Sequence, residues 1–178
     1  MNYSSYYSYN AYASALEGIE MNGKLPSSLI RPDLLQTLID HADHGISIAE
    51  REGDDTILLY VNEAFEKMTG YSAEECLFKD CRFLQGDDRD QPERSKIHNA
   101  ILNTEPIQVV LRNYRKDGSM FWNELMVTPY FDETEGVTYY IGIQKDITEL
   151  VVLKTELLAC KKQLLEQQMD KKSGKNIL

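Results

Sequence analysis

The sequence predicts an α+β domain: one five-stranded antiparallel sheet with short helices on one face, an N-terminal cap helix and a C-terminal amphipathic helix. Three observations carry this. Two short strand-like runs between 46 and 61 precede several short helical patterns, and three longer strand-like runs follow between 107 and 146. The last three runs are joined by tight-turn sequences, Lys116-Asp117-Gly118 and Glu133 to Gly136. The chain has 178 residues, 42% of them hydrophobic, enough for one core with extensions at its ends.

The first element is an extension, 1–30, with five tyrosines between Tyr3 and Tyr12 and weak periodicity. It reads as a flexible tail, with a docking surface as the alternative. Pro32 then suits a first helical turn, and Leu34, Leu35, Leu38 and Ile39 recur at helical spacing, so a cap helix is expected over 31–43. A core domain over 44–147 follows. ISIAE (46–50) and TILLYV (56–61) form a hairpin through the polar REGDD turn. Asn62 caps a helix that ends at Gly70, and Ser72 with Glu75 makes a capping box for a second. Pro92 opens a third, carrying Ile97, Ala100, Ile101 and Leu102. Strands 107–115, 119–131 and 137–146 complete the sheet. The 148–172 stretch lacks Pro and Gly, and Leu150, Leu153, Leu157, Cys160 and Leu164 alternate at steps of three and four. That is a heptad seam, which packs either on the protein's own sheet or on a second copy as a parallel homodimer. A disordered tail is expected over 173–178, with no effector domain in the chain.

Composition narrows the function. A net charge of -10 is the wrong sign for a nucleic-acid surface. No apolar run reaches the roughly 18 residues of a membrane span, and the N-terminus lacks the pattern of a secretory signal, so cytoplasmic residence is expected. Three cysteines, Cys76, Cys81 and Cys160, do not make a disulfide framework, and neither they nor the three histidines stand at metal-ligand spacing.

Two groups of polar residues are out of place. Side chains alternate faces along a strand, so Asn113 shares a face with Val109 and Leu111, Asn123 with Phe121, Leu125 and Val127, and Gln144 with Tyr140 and Gly142. Three carboxamides therefore share the core side of successive strands. A buried amide without partners costs on the order of 1–3 kcal/mol. A flat heteroaromatic ligand with donors and acceptors along its edge would satisfy all three, and Gly142 would let it approach the backbone. The second group lies in DCRFLQGDDRDQPER (80–94), where Cys81, Arg82, Gln85, Arg89 and Arg94 surround a short helix and loop. Three arginines in thirteen residues form either an anion site or surface pairs with Asp87, Asp88 and Asp90.

DCRFLQ, with RNY at 112–114, FWN at 121–123 and YIGIQ at 140–144, resembles the light-oxygen-voltage (LOV) domains of the PAS superfamily over about Leu34 to Glu149, and the short bacterial LOV photoreceptors of pseudomonads in particular. The resemblance implies a blue-light sensor with one FMN, not an enzyme. Cys81 matches the cysteine that bonds reversibly to the flavin C4a carbon, giving a cysteinyl adduct. Asn113 and Asn123 match the amides on the pyrimidine edge, and Gln144 the glutamine beside N5 and O4, which would relay the signal to the last helix and dimer interface. Arg82 and Gln85 match residues at the ring carbonyls or ribityl-phosphate chain, and Arg89 and Arg94 match additional phosphate arginines. Leu111, Leu125 and Val127 would flank the ring, with Ser47, Ala49 and Gly142 completing the pocket. Asp80, Phe78, Tyr140 and Ser47 depart from the usual Asn, Gly, Phe and aliphatic residue. The competing functions are a PAS redox or small-molecule sensor that leaves the cysteine unused, and a bare dimerisation module. The downstream partner is not named by the sequence.

Overall fold

A computed structural model describes residues 30–173. The expectations for 1–29 and 174–178 lie outside the described residues. Helix α1 (Pro32–Asp40) belongs to a unit ending at His41, and a second unit begins at Ala42. α1 opens on Pro32 after an extended Arg31, as a residue before proline prefers. It is shorter than the sequence predicts because His41 takes a non-helical conformation while its N–H still bonds back to Thr37. None of its residues is buried.

In the second unit, strands β1 (Gly45–Glu52), β2 (Asp55–Val61), β3 (Ile107–Tyr114), β4 (Met120–Asp132) and β5 (Val137–Asp146) form one sheet in the order β2-β1-β5-β4-β3. All neighbours are antiparallel, so the first and last strands pair at its centre, Gly45 opposite Gln144. The first hairpin is tighter than expected: the strands continue to Glu52 and from Asp55, leaving Gly53 and Asp54, with Gly53 at φ 62°. β2 also carries a bulge. Ile48 faces Tyr60 and Ala49 faces Leu58, so Leu59 is the extra residue, and burial moves from Thr56 and Leu58 to Val61.

Between β2 and β3 the chain crosses the sheet in short helices. Asn62 Oδ1 accepts from Phe65 N (3.0 Å) to start α2 (Glu63–Thr69) and from Ile46 N (2.8 Å), which pins that start to β1. Gly70, at φ 76°, ends it. In α3 (Ala73–Cys76) the Glu75 carboxylate accepts from Ser72 N at 3.0 Å, completing the expected capping box. Phe78 follows in the left-handed region at φ 62° and is 77% exposed. There the chain bonds to β2, Phe78 N to Leu58 O and Leu58 N to Lys79 O, and enters a 3-10 turn over Cys81–Gln85. Helix α4 (Pro92–Leu102) leads to β3.

The core joins Ala49, Leu58, Val61, Phe65, Cys76 and Leu84, with Tyr71 edge-on to Phe83 at 5.0 Å. Helix α5 (Thr148–Ser173) starts at a fixed point: Asp146 Oδ1 accepts from Thr148 N (2.8 Å), Thr148 Oγ1 accepts from Trp122 N (2.9 Å), and Ile147 N donates to Trp122 O. Among the described residues no helix is long and apolar enough to cross a membrane.

Candidate functional site

The inward face of the sheet and the crossing helices enclose a cavity of about 380 Å³, within the range of small-ligand sites. Ser47 and Ala49 of β1, Leu111 and Asn113 of β3, Asn123, Leu125 and Val127 of β4, and Gly142 and Gln144 of β5 line it. Cys81, Arg82 and Gln85 of the 3-10 turn and Arg94 of α4 line it too. Every site residue read from the sequence therefore meets in one cavity except Arg89, whose exposed side chain is not in its wall.

The three carboxamides are buried and touch. Asn123 Nδ2 donates to Asn113 Oδ1 (2.8 Å) and to Gln144 Oε1 (3.3 Å), and Gln144 Nε2 donates to Ser47 Oγ (3.2 Å). They do not satisfy one another completely. Asn123 Oδ1 is buried and has no hydrogen-bond partner among the described residues. Native structures rarely leave such an acceptor open, and it asks for an N–H donor inside the cavity. Gly142 has a nearer reason to be glycine than ligand approach: a Cβ there would stand 2.5 Å from Ser47 Oγ, so a side chain would displace the hydroxyl that holds Gln144.

Cys81 begins the 3-10 turn, and Asp80 caps it by accepting from Arg82 N at 2.7 Å. Burial, and next the charge of Asp80, push the Cys81 thiol up to about 12, so it is protonated at neutral pH. Cys76 is wholly buried, and its thiol is likewise pushed up, to about 11. Arg82 is already paired. Its guanidinium bonds to Asp80 and to Asp55 at the start of β2, which ties the Cys81 turn to the first hairpin. Partial burial would raise the Asp80 carboxyl, but the bonds from Arg82 outweigh it and hold the group below its ordinary value.

The arginine-rich loop divides its work. Arg94 Nε donates to Gln85 Oε1 (2.6 Å) and Arg94 Nη1 to the Arg89 carbonyl (2.7 Å), so Arg89 supports Arg94 through its backbone. Asp88 bonds to Arg112 (2.6 Å) and Tyr114 (3.0 Å) on β3, not to the arginines beside it in sequence. Gln91, which the sequence did not single out, is buried: its amide donates to the Asp88 and Arg112 carbonyls and accepts from Arg112 N. Phe65, Leu84, Ile97 and Ile101 also line the cavity. The i, i+4 spacing of Ile97 and Ile101 was the available signal for the last two. Tyr140, unusual in the resemblance, lines the cavity and uses its hydroxyl on the Ile101 carbonyl at 2.8 Å, in the last turn of α4.

A family model described as PAS domain matches residues 43–149. The blue-light photoreceptor of Listeria monocytogenes is 43% identical over 116 residues, which are 65% of this chain and 46% of the relative. The solved LOV domain of the Erythrobacter litoralis EL346 blue-light activated histidine kinase is 41% identical with a TM-score of 0.56, the match covering 61% of this chain and 99% of that one. An RNA-binding light-oxygen-voltage receptor is 38% identical with a TM-score of 0.67, over 83% of this chain and 42% of that one. The chain spans less than half the length of the curated relatives it matches, 46% of the Listeria photoreceptor and 21% of a bacterioopsin transcriptional activator of Halobacterium salinarum. A PAS match over more than half of the chain, joined to this identity with an entire LOV domain, makes the chain a member of the PAS family in its light-oxygen-voltage branch.

Proposed function

We propose that the domain holds one FMN and senses blue light through a reversible bond between the flavin and Cys81. The observation that carries the reading is the open Asn123 acceptor, buried among bonded amides in a cavity that the protonated Cys81 thiol also lines. An isoalloxazine edge alternates carbonyl acceptors with one N–H donor, and the donor is what this site lacks. The residues fit the group: Asn113, Asn123 and Gln144 would hold its pyrimidine edge, Leu111, Leu125 and Val127 its faces, and Arg94, with Arg82 and Gln85, its anionic chain. When bound and excited by blue light, the flavin would supply an electrophilic carbon and a basic nitrogen; toward these Cys81 would offer its sulfur and its thiol proton, and both would return to the thiol in the dark.

The chain's own contribution is to keep the thiol neutral and to read the moved proton. Gln144 can turn either its NH2 group or its carbonyl oxygen toward the ring, so it would distinguish a protonated ring nitrogen from an unprotonated one. Ser47 permits the turn because its hydroxyl can donate as well as accept, and it remains a partner for either end of the amide. Gln144 stands two residues before Asp146, which fixes the start of α5. A reoriented Gln144 would therefore alter how α5 leaves the sheet and, through α5, a parallel homodimer. The RNA binding of the matched receptor is not carried over, because this chain's net charge of -10 supplies no phosphate-neutralising footprint.

Absorbance tests the proposal. Protein supplied with FMN is expected to be yellow, to lose its blue absorbance under blue light and to regain it in the dark, while Cys81→Ser stays yellow and does not bleach. A wild-type protein that takes up no FMN, or a Cys81→Ser protein that bleaches as the wild type does, would contradict it.

A further inference from the structure

The strap of residues 86–91, between the Cys81 turn and α4, is fastened to β3 more firmly than a connecting loop requires. β3 ends the sheet, so its outer edge has no strand beside it. Gln91 takes that place for one residue: its side-chain amide accepts from Arg112 N (2.7 Å) and donates to Arg112 O (3.1 Å). The same amide nitrogen donates to the Asp88 carbonyl at 3.1 Å, so both N–H groups of this buried side chain are used. Asp88 adds a two-pronged pair. Its carboxylate accepts from Arg112 Nε (2.6 Å) and Nη2 (2.9 Å), and also from the Tyr114 hydroxyl (3.0 Å). The bond from Arg112 holds the Asp88 carboxyl below its ordinary value, so the pair is charged at neutral pH. On its other side the strap closes on the Cys81 turn, where Asp88 N donates to the Gln85 carbonyl at 3.1 Å.

What the strap carries to the cavity is the Arg89 carbonyl. It accepts from Arg94 Nη1 (2.7 Å), while Gln85 Oε1 accepts from Arg94 Nε (2.6 Å). These two bonds fix the plane of the guanidinium and leave three of its five N–H groups unused among the described residues. The other arginines of the cavity wall are differently placed. Arg82 is paired with Asp80 and Asp55, and Arg51 is exposed and bonds to the Gly53 carbonyl in its own hairpin. Arg94 is half-buried and meets no carboxylate among the described residues, so its charge is left for an anionic group in the cavity. Asp88, Gln91 and Arg112 are not in the cavity wall and reach it only through the strap. We propose that these three are positioning residues that set the Arg94 guanidinium for a phosphate monoester, and so make the cavity select a phosphorylated flavin over an unphosphorylated one. An arginine already held in its binding geometry loses less freedom when the phosphate arrives, and that is the strap's contribution. The inference rests on the FMN reading above and adds the residues that decide which flavin is held. Covering a sheet edge, the strap's purely structural role, would favour neither flavin.

Titration of the full chain with FMN and with riboflavin, followed by flavin fluorescence, tests it, because the two ligands differ by the phosphate alone. Wild type should bind FMN about tenfold or more tightly than riboflavin. Asp88→Asn and Arg112→Gln should each weaken FMN about tenfold and riboflavin less than about twofold, and the double variant should lose little more than either single one, as partners in one pair do. Riboflavin binding shows that each variant keeps a folded cavity. Hydrogen exchange should rise over 86–91 in the variants while β4 and β5 stay as protected as in wild type. Equal losses for the two flavins, or FMN binding untouched by either variant, would overturn the inference, and so would a wild type that binds both flavins alike. In each of those cases a wild type that still bleaches in blue light leaves the photoreceptor reading standing. A wild type that binds neither flavin would overturn both.

Discussion

Asn123 shows how much one side chain can imply. Its NH2 group is shared between Asn113 and Gln144, and its carbonyl oxygen is left open in a buried site. The pattern behind this was legible because strand alternation alone puts all three amides on one face. The neighbours of Arg82 were not legible, since Asp55 lies 27 residues away and reaches it only once the hairpin is folded against the 3-10 turn. Phe78 makes a separate point. A left-handed backbone disfavours any residue with a Cβ by roughly 1–2 kcal/mol, and with most of its ring in solvent Phe78 recovers little through packing. Phe78→Gly is therefore expected to raise unfolding stability by about 0.5–1 kcal/mol, after allowing for the greater chain entropy of glycine. Urea unfolding of the two proteins checks this, and an equal or lower midpoint for the variant would contradict it.

At the scale of elements, the junction of β5 and α5 carries the most consequence. Asp146 caps α5 through Thr148 and pairs with Arg115 (2.6 Å), which also donates to the Met68 carbonyl and lies over the Phe121 ring at 4.4 Å. Burial raises the Asp146 carboxyl, but its bonds to Thr148 and Arg115 prevail and hold it below the ordinary value. A carboxyl depressed in the folded state stabilises fully above its unfolded pKa, about 3.9, and loses that contribution as pH falls through the folded value. The stability gap between wild type and Asp146→Asn should thus be present at neutral pH and close on acidification below about pH 4. Trp122, the chain's single tryptophan, bonds to Thr148 through its backbone and offers a fluorescence reading of the same junction. A gap that does not depend on pH would contradict the assignment. Gln144→Leu should leave bleaching intact and weaken any light-induced change in α5, as followed by hydrogen exchange over 148–160. An undiminished change would remove Gln144 from the relay. The strand and helix sequence was readable from periodicity and caps. The bulge at Leu59 was not, because an inserted residue in an apolar run leaves alternation looking continuous.

The whole molecule joins a sheet that closes its first strand onto its last with a cavity beneath it and a helix leading out. The strand order follows from short connections at either end of the sheet and the helical crossover between them. The sequence foretold the five strands but not that β1 and β5 lie together at the centre, since that pairing joins residues almost a hundred positions apart. This closure brings Ser47 to Gln144, and so places the amide that would sense the flavin beside the strand end that launches α5. Light would therefore act on the molecule through one proton, lost from the Cys81 thiol and gained at the flavin. An infrared difference spectrum of the FMN-loaded protein measures that loss: illumination should remove the S–H stretch of Cys81, with recovery in the dark, and Cys81→Ser should show no such band. An S–H stretch that persists through full bleaching would contradict the account.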